Sequence, residues 1–463
     1  MCGIIGAAAE RDVVAILLEG LRRLEYRGYD SAGIAVLDAQ GHMHRRRTAG
    51  KVGELREVVG QDKLVRGGIG IAHTRWATHG KPDTRNAHPH ICRGAVAVVH
   101  NGIIENYETL KARQLKAGYD FTSDTDTEVI VHQIYDYVSK GDDLLAAVQQ
   151  TIKELEGAFA IGVVSTKDPS RIVAARRGSP LVVGIGIGEH FIASEAGALL
   201  PVTQRFIYLE EGDLVDLHRD RFQIYNANNE PVERPQKVSE LTADAVERGR
   251  YRHYMLKEIF EQPQAIADTL TGCLAGDKVI AEAFGHRADE IFDGVRHVHL
   301  VACGTSYHAG LIARYWLEEL AGIPATAEIA SEFRYRSPVV PEDGLIVTLS
   351  QSGETADTIA ALREAKARGF RRTLAICNVP ESALVRESDL VFLTRAGPEI
   401  GVASTKAFTT QLTALLALTI VLGRRHKMSR ETEKQLVQQM RTLPTKLETV
   451  LGLNEHIAHI AER

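Results

Sequence analysis

The second residue of the chain is a cysteine, in Met1-Cys2-Gly3-Ile4-Ile5-Gly6, and removal of Met1 would leave a thiol and a free α-amine on one residue. An α-amine titrates near ~8, so at neutral pH a useful fraction is unprotonated and can take the thiol proton directly or through one water. Cys2 is therefore a candidate nucleophile that carries its own base. Amide hydrolysis through a thioester also needs an oxyanion hole. Asn101-Gly102 offers a side-chain amide beside a glycine N–H, although an Asn-Gly pair is equally a hairpin-turn signal. Recognition of an α-amino acid needs a cation for its carboxylate and an anion for its ammonium, and Arg75 and Asp126 are the candidates.

Two further segments are rich in hydroxyls, Cys303-Gly304-Thr305-Ser306 and Ser350-Gln351-Ser352-Gly353-Glu354-Thr355. Each lies between an apolar run and a helical pattern. A helix N-terminus presents unpaired N–H groups and a positive dipole end, so such a turn can hold a phosphate, or its hydroxyls can simply cap the helix. Two of them at successive strand ends of a parallel sheet favour a ligand crevice. Neither carries the Gly-Lys-Ser/Thr ending of a nucleotide loop, so a phosphomonoester is expected. Gly184-x-Gly186-x-Gly188 is followed by strand-like Phe191-Ile192-Ala193 and lacks the helix of a dinucleotide site. The five histidines from His73 to His100 include His88-Pro89-His90 but no carboxylate or thiolate at ligand spacing. No metal and no cofactor are expected.

The elements that must position these residues change character along the chain. The first ~220 residues read as short strands, such as Ile34-Ala35-Val36, Gly70-Ile71-Ala72 and Ala95 to Val99, punctuated by glycines. From about Val295 the pattern becomes strand, turn, helix, repeated. Val298 to Ala302, Leu345 to Leu349, Thr373 to Val379 and Leu390 to Thr394 read as buried strands, with helices from Tyr307 and over Thr355 to Arg368. That alternation implies a parallel sheet with covering helices. The polar stretch Asn226 to Arg250 reads as a connection between domains, and Ser429 to Val450 as one amphipathic helix with Leu436, Met440, Leu443, Leu447 and Val450 on a stripe.

Composition bounds the partners. With 463 residues, 44% apolar and 25% charged, the chain reads as a multidomain globular protein. A net charge of -5 argues against a nucleic-acid or anionic-membrane surface. The longest apolar run, Leu412 to Leu422, is too short to span a bilayer. Five scattered cysteines without a CxxC pair suggest neither a disulfide framework nor a zinc ribbon, so a cytoplasmic location is expected.

Five segments in order, Cys2-Gly3-Ile4, Tyr26 to Gly33, His73 to Gly80, His100-Asn101-Gly102 and Ser123 to Glu128, closely resemble the class II glutamine amidotransferase domain. The resemblance implies an N-terminal-nucleophile (αββα) fold, Cys2 as nucleophile with its α-amine as base, Asn101 and Gly102 as the oxyanion hole, and Arg75, Trp76, Thr78, His79 and Asp126 around the glutamine. The later turns, with Glu399 to Gln411, resemble the sugar-isomerase (SIS) domain, a doubly wound α/β fold. That resemblance implies phosphate contacts from Thr305, Ser306, Ser350, Gln351, Ser352 and Thr355. Taken with Tyr251 to Met255 and Glu258 to Pro263, the two domains resemble an amidotransferase family of aminosugar synthesis whose partners are glutamine and fructose 6-phosphate and whose full-length members are homodimers. Expected boundaries are 1–221 for the amidotransferase domain, 222–288 for a connector, 289–429 for one SIS domain and 430–463 for a helix leading to a second SIS domain. Because that family places its sugar-isomerising glutamate, histidine and lysine in the later segment, this sequence is expected to keep the glutaminase half-reaction, and Lys406 is not the missing lysine. The competing reading is a non-catalytic phosphosugar sensor on a glutaminase-like scaffold, which glutamine hydrolysis would separate from the first.

Overall fold

The computed structural model describes residues 2–25, 28–76, 81–239, 251–380 and 382–463, and it divides into two units, Met1–Val246 and Glu247–Arg463. In the first unit the strands are β1 (Gly3–Ala8), β2 (Ser31–Leu37), β3 (Met43–Ala49), β4 (Ile69–Arg75), β5 (His90–Cys92), β6 (Val96–Ile104), β7 (Gly157–Ser165) and β8 (Asp168–Arg177). They continue as β9 (Val182–Ile185), β10 (His190–Ala193), β11 (Arg205–Tyr208), β12 (Leu214–His218), β13 (Phe222–Tyr225), β14 (Pro231–Val232) and β15 (Gln236–Val238). One sheet has the order β15-β11-β9-β10-β1-β4-β2-β3 and the other β14-β13-β12-β8-β7-β6-β5.

Period-two alternation explains why both sheets can be covered on both faces. In β1, Ile5 and Ala7 face a core shared with Leu17 and Leu21 of the helix Val14–Leu24, whereas Ile4 and Ala8 face the second sheet. In β6, Ala97 and Val99 face the first sheet, and Val96 and Val98 face the helices Glu128–Lys140 and Leu144–Glu154. The layers are helix, sheet, sheet, helix. Because both faces of β1 are buried, the run is apolar throughout instead of alternating.

Residues 222–239, assigned to the connector by their polarity, instead complete these sheets. β13 pairs with β12, and β15 pairs with β11. β14 and β15 are the outermost strands of their sheets, where one side of the strand meets water, which admits polar residues there.

The second unit contains β16 (Leu274–Ala275) and β17 (Lys278–Val279), then β18 (His297–Ala302), β19 (Ala325–Ile329), β20 (Gly344–Ser350), β21 (Arg372–Cys377) and β22 (Leu390–Leu393). The last five form a sheet of order β19-β18-β20-β21-β22, parallel throughout. Leu300, Val347 and Ile376 pack on one face with the helix Lys406–Gly423, and Val301, Ile346 and Ala375 pack on the other with Ile359 and Leu362 of the helix Ala356–Ala367. The sheet is therefore doubly wound. Lys406–Gly423 is long and apolar enough to cross a membrane, but 78% of that window is buried inside the protein.

Three details differ from the pattern read along the chain. The helix expected from Tyr307 starts at Gly304, because Cys303 already has extended backbone and closes the turn as N-cap. The segment Tyr254–Leu270, placed in the connector, is a helix of the second unit, and its Glu258 carboxylate accepts from the amides of Ile400 at 2.5 Å and Gly401 at 2.8 Å. The helix Arg430–Leu451 buries Val437 and Met440, half-buries Leu443 and Leu447 and leaves Val450 exposed, so its apolar stripe is covered less and less toward its end.

Gly33 on β2 is one position where the sheet tolerates no side chain. A Cβ there would lie 2.1 Å from the carbonyl oxygen of His88. Gly33→Ala should destabilise the first unit by about 2–3 kcal/mol through overpacking. Thermal unfolding measures this, and an unchanged midpoint would show that the His88 segment moves aside freely.

Candidate active site

Cys2 sits immediately before β1, half-buried, with its sulfur against the backbone of Trp76. The Trp76 N–H donates to Sγ at 3.3 Å, and Sγ lies 3.6 Å from the Trp76 carbonyl oxygen. Burial raises the pKa of the thiol, while the Trp76 amide, the positive N-terminus and Arg75 act in the opposite direction. The thiol therefore needs a base, and the α-amine of Cys2 can be that base only in a chain that has lost Met1.

The other candidate residues reach Cys2 from separate strands. Asn101, buried on β6 of the opposite sheet, donates through Nδ2 to the carbonyl oxygen of Cys2 at 3.1 Å. Gly102 follows with φ +130°, where a Cβ would sit 2.0 Å from the carbonyl oxygen of Ala158, so only glycine fits. Arg75 ends β4 and is buried. Desolvation lowers its pKa, and the charges of Cys2, Asp30 and Asp126 oppose that shift. Asp126 is buried and accepts the amide of Ile104 at 2.8 Å, which ties the Ser123 to Glu128 segment to the end of β6. The Trp76 ring meets Tyr29 edge to face at 5.3 Å. Thr78 and His79, with Tyr26 and Arg27 of the second motif, lie outside the described residues.

Behind these residues is a buried polar layer, built from the histidines and the Ser123 to Glu128 motif, whose arrangement the motifs do not reveal. His73 on β4 reaches across the two sheets and places Nε2 2.9 Å from the carbonyl oxygen of His100 and 3.0 Å from Oδ1 of Asn101. Its ring stacks on His88 at 4.2 Å. His88 Nδ1 accepts the His100 amide at 3.2 Å, and His100 Nδ1 lies 2.9 Å from Thr127 Oγ1. The Glu128 carboxylate accepts from the amides of Thr122 at 2.9 Å and Ser123 at 2.7 Å. Strand alternation held the signal, since His73 lies two residues from Ile71 and Asn101 two from Val99, both facing the inter-sheet core. It becomes readable only once the two strands are known to face one another. Among the described residues no group of three or more His, Cys, Asp or Glu is arranged to hold a metal ion.

In the second unit, β18 and β20 pair in parallel with Ala302 opposite Leu349, so the two hydroxyl-rich turns leave the sheet side by side. The chain runs from β18 to β19 on one side and to β20 on the other, which makes this the point where strand order reverses, the place at which open α/β sheets bind ligands. Ser350 Oγ accepts the amide of Gly353 at 3.0 Å and meets Thr355 Oγ1 at 3.0 Å; the Ser352 hydroxyl accepts the amide of Glu354 at 3.2 Å. Neither Cys303 nor Thr355, the N-caps of the two helices, makes a side-chain cap bond. Thr305 is exposed, and Ser306, Gln351 and Ser352 are half-buried. Lys406 Nζ is buried in an ion pair with Glu261 at 2.7 Å, which gives it a structural partner.

Two family models match this architecture, a glutamine amidotransferase domain over residues 54–254 and a SIS domain over residues 291–421. A glutamine--fructose-6-phosphate aminotransferase [isomerizing] of Shewanella oneidensis is 55% identical over 462 residues, spanning 100% of this chain and 76% of the relative. This chain belongs to that family. A second member, from Pseudomonas syringae pv. tomato, is 56% identical over 463 residues with the same coverage. A solved C-terminal domain of glucosamine-fructose-6-phosphate aminotransferase from Francisella tularensis is 46% identical, covering 47% of this chain and 61% of its own, with a TM-score of 0.46.

The histidine layer carries a measurable consequence for this family member. Burial holds His73, His88 and His90 below the ordinary imidazole value of 6.5, His73 at about 3. Below pH 6.5 the unfolded chain therefore binds more protons than the folded one, so the stability from these groups is complete above that pH and falls as the pH drops toward 3. Between about pH 6.5 and 5, before most carboxylates protonate, the first unit should lose stability with decreasing pH. Urea unfolding across that range measures the slope, and a flat profile would mean that these imidazoles are charged inside the fold.

Proposed function

We propose that the chain serves glutamine-dependent formation of glucosamine 6-phosphate from fructose 6-phosphate by carrying out the glutaminase half-reaction in the first unit and binding the phosphosugar in the second. The α-amine of processed Cys2 takes the thiol proton, and the sulfur attacks the side-chain amide carbon of glutamine. Asn101 Nδ2 and the Gly102 N–H stabilise the resulting oxyanion. Collapse of the tetrahedral intermediate breaks the C–N bond, the proton held on the α-amine goes to the departing nitrogen, and ammonia leaves. Water then hydrolyses the thioester to glutamate. Arg75 holds the α-carboxylate bidentately, Asp126 accepts from the α-ammonium, and Trp76, Thr78 and His79 complete the pocket.

The single observation that carries this reading is the convergence of Asn101 on Cys2 from the opposite sheet, with a donor 3.1 Å from the nucleophile's own carbonyl oxygen. In the second unit, Thr305, Ser306, Ser350, Gln351, Ser352 and Thr355 hold the sugar phosphate. Support comes from the reversal of strand order between β18 and β20 and from helix N-termini whose cap side chains make no cap bond to the helix amides. Cytoplasmic location and homodimeric assembly belong to the same reading; the five free thiols accord with the first.

Cys2→Ala should abolish glutamate release while leaving phosphosugar binding unchanged, and substantial turnover by that variant would remove the nucleophile assignment. Asn101→Ala should lower the glutaminase kcat by roughly 10²–10³-fold, on the scale of one lost preorganised donor. Arg75→Lys should act chiefly on the KM for glutamine, because an ammonium cannot reproduce a bidentate grip. Steady-state kinetics in which Asn101 controls only KM would show the roles to be wrongly assigned.

A further inference from the structure

The amide of Asn101 can be placed with either edge toward the nucleophile, and only one orientation aims a donor at it. Something must decide between them. His73 Nε2 lies 2.9 Å from the carbonyl oxygen of His100, which can only accept, so Nε2 carries the hydrogen. The same Nε2–H lies 3.0 Å from the Asn101 side chain, and a donor there requires the amide oxygen to face it. The NH₂ edge is then turned the opposite way, toward Cys2, whose carbonyl oxygen it meets at 3.1 Å.

We infer that His73 is a positioning residue for the oxyanion hole: its Nε2–H, fixed by the His100 carbonyl, holds the Asn101 amide with its donors toward the nucleophile. This rests on the proposed oxyanion role of Asn101. His73 does not touch the reacting atoms. It acts from β4 on β6, so the orientation of the amide is set by the sheet that carries Cys2. Burial keeps the imidazole neutral, with its pKa at about 3, and the His100 carbonyl fixes its tautomer. His73 Nδ1 has no hydrogen-bond partner, and the ring stacks on His88 at 4.2 Å with 15° between planes, which leaves packing as the competing account of the residue.

Two substitutions separate these accounts. His73→Phe keeps a ring over His88 and removes the donor, whereas His73→Gln removes the ring and keeps an N–H of similar reach. If His73 positions Asn101, His73→Phe lowers the glutaminase kcat by roughly 10²-fold with little change in the KM for glutamine, the scale of a misplaced group, and His73→Gln stays close to wild type. In the Asn101→Ala background His73→Phe then adds no further loss, because the group it orients is gone.

A His73→Gln variant as slow as His73→Phe, an additive loss in the double variant, or an effect confined to KM would each overturn the inference. Thermal unfolding is measured on every variant, and His73→Leu, smaller and also without a donor, replaces His73→Phe if the latter does not fold. Near-normal turnover by Asn101→Ala alone would instead overturn the oxyanion assignment beneath it.

Discussion

The contact between Asn101 and the start of β1 joins the two sheets of the first unit at the point where chemistry is proposed. A side-chain amide from β6 meets the Cys2 carbonyl oxygen on one edge and the His73 imidazole on the other. Both partners belong to the first sheet, so the amide is held by the layer that carries the nucleophile. The arrangement depends on the two sheets keeping their face-to-face register, which the apolar side chains between them maintain, including Ile4, Ile71, Val99 and Ala160.

Polar groups at such a depth are costly unless satisfied, and the site is built accordingly. Glu128 gathers the amides of Thr122 and Ser123, Asp126 takes that of Ile104, and the histidines bridge to Thr125, Thr127 and the backbone. Of the histidines that invite a metal reading in sequence, His73, His88 and His90 are neutral rings packed on one another, His73 stacked on His88 and His90 edge-on to it. Burial disfavours their charged form, and each ring nitrogen that pairs does so with a hydroxyl, an amide or a carbonyl.

The second unit reaches its proposed site by a different route. Its hydroxyl-rich turns are brought together by strand order alone: β18 and β20 are neighbours, and the chain departs from β18 in opposite directions to build the two sides of the sheet. Nothing local to either turn specifies that adjacency. The loop after Glu399 is pinned in turn by Glu258, a buried carboxylate contributed from far earlier in the chain.

The sequence by itself determined the chemistry-bearing residue types, the amidotransferase and SIS resemblances, the change from short strands to alternating strand and helix, and most strand positions. These are written in local patterns: apolar runs, glycine punctuation and motifs of a few residues. Tertiary structure decided where the first unit ends, since β13 to β15 lie in a polar stretch that resembles a linker until their partners are known. It also decided the roles of His73 and Glu258. Each acts on a segment distant in sequence, His73 on Asn101 across two sheets and Glu258 on Ile400 and Gly401 across a helix and a loop. Spacing along a chain encodes faces and turns, but which faces meet is settled only when the layers pack, and that packing turned a histidine in a motif into a clamp on an amide.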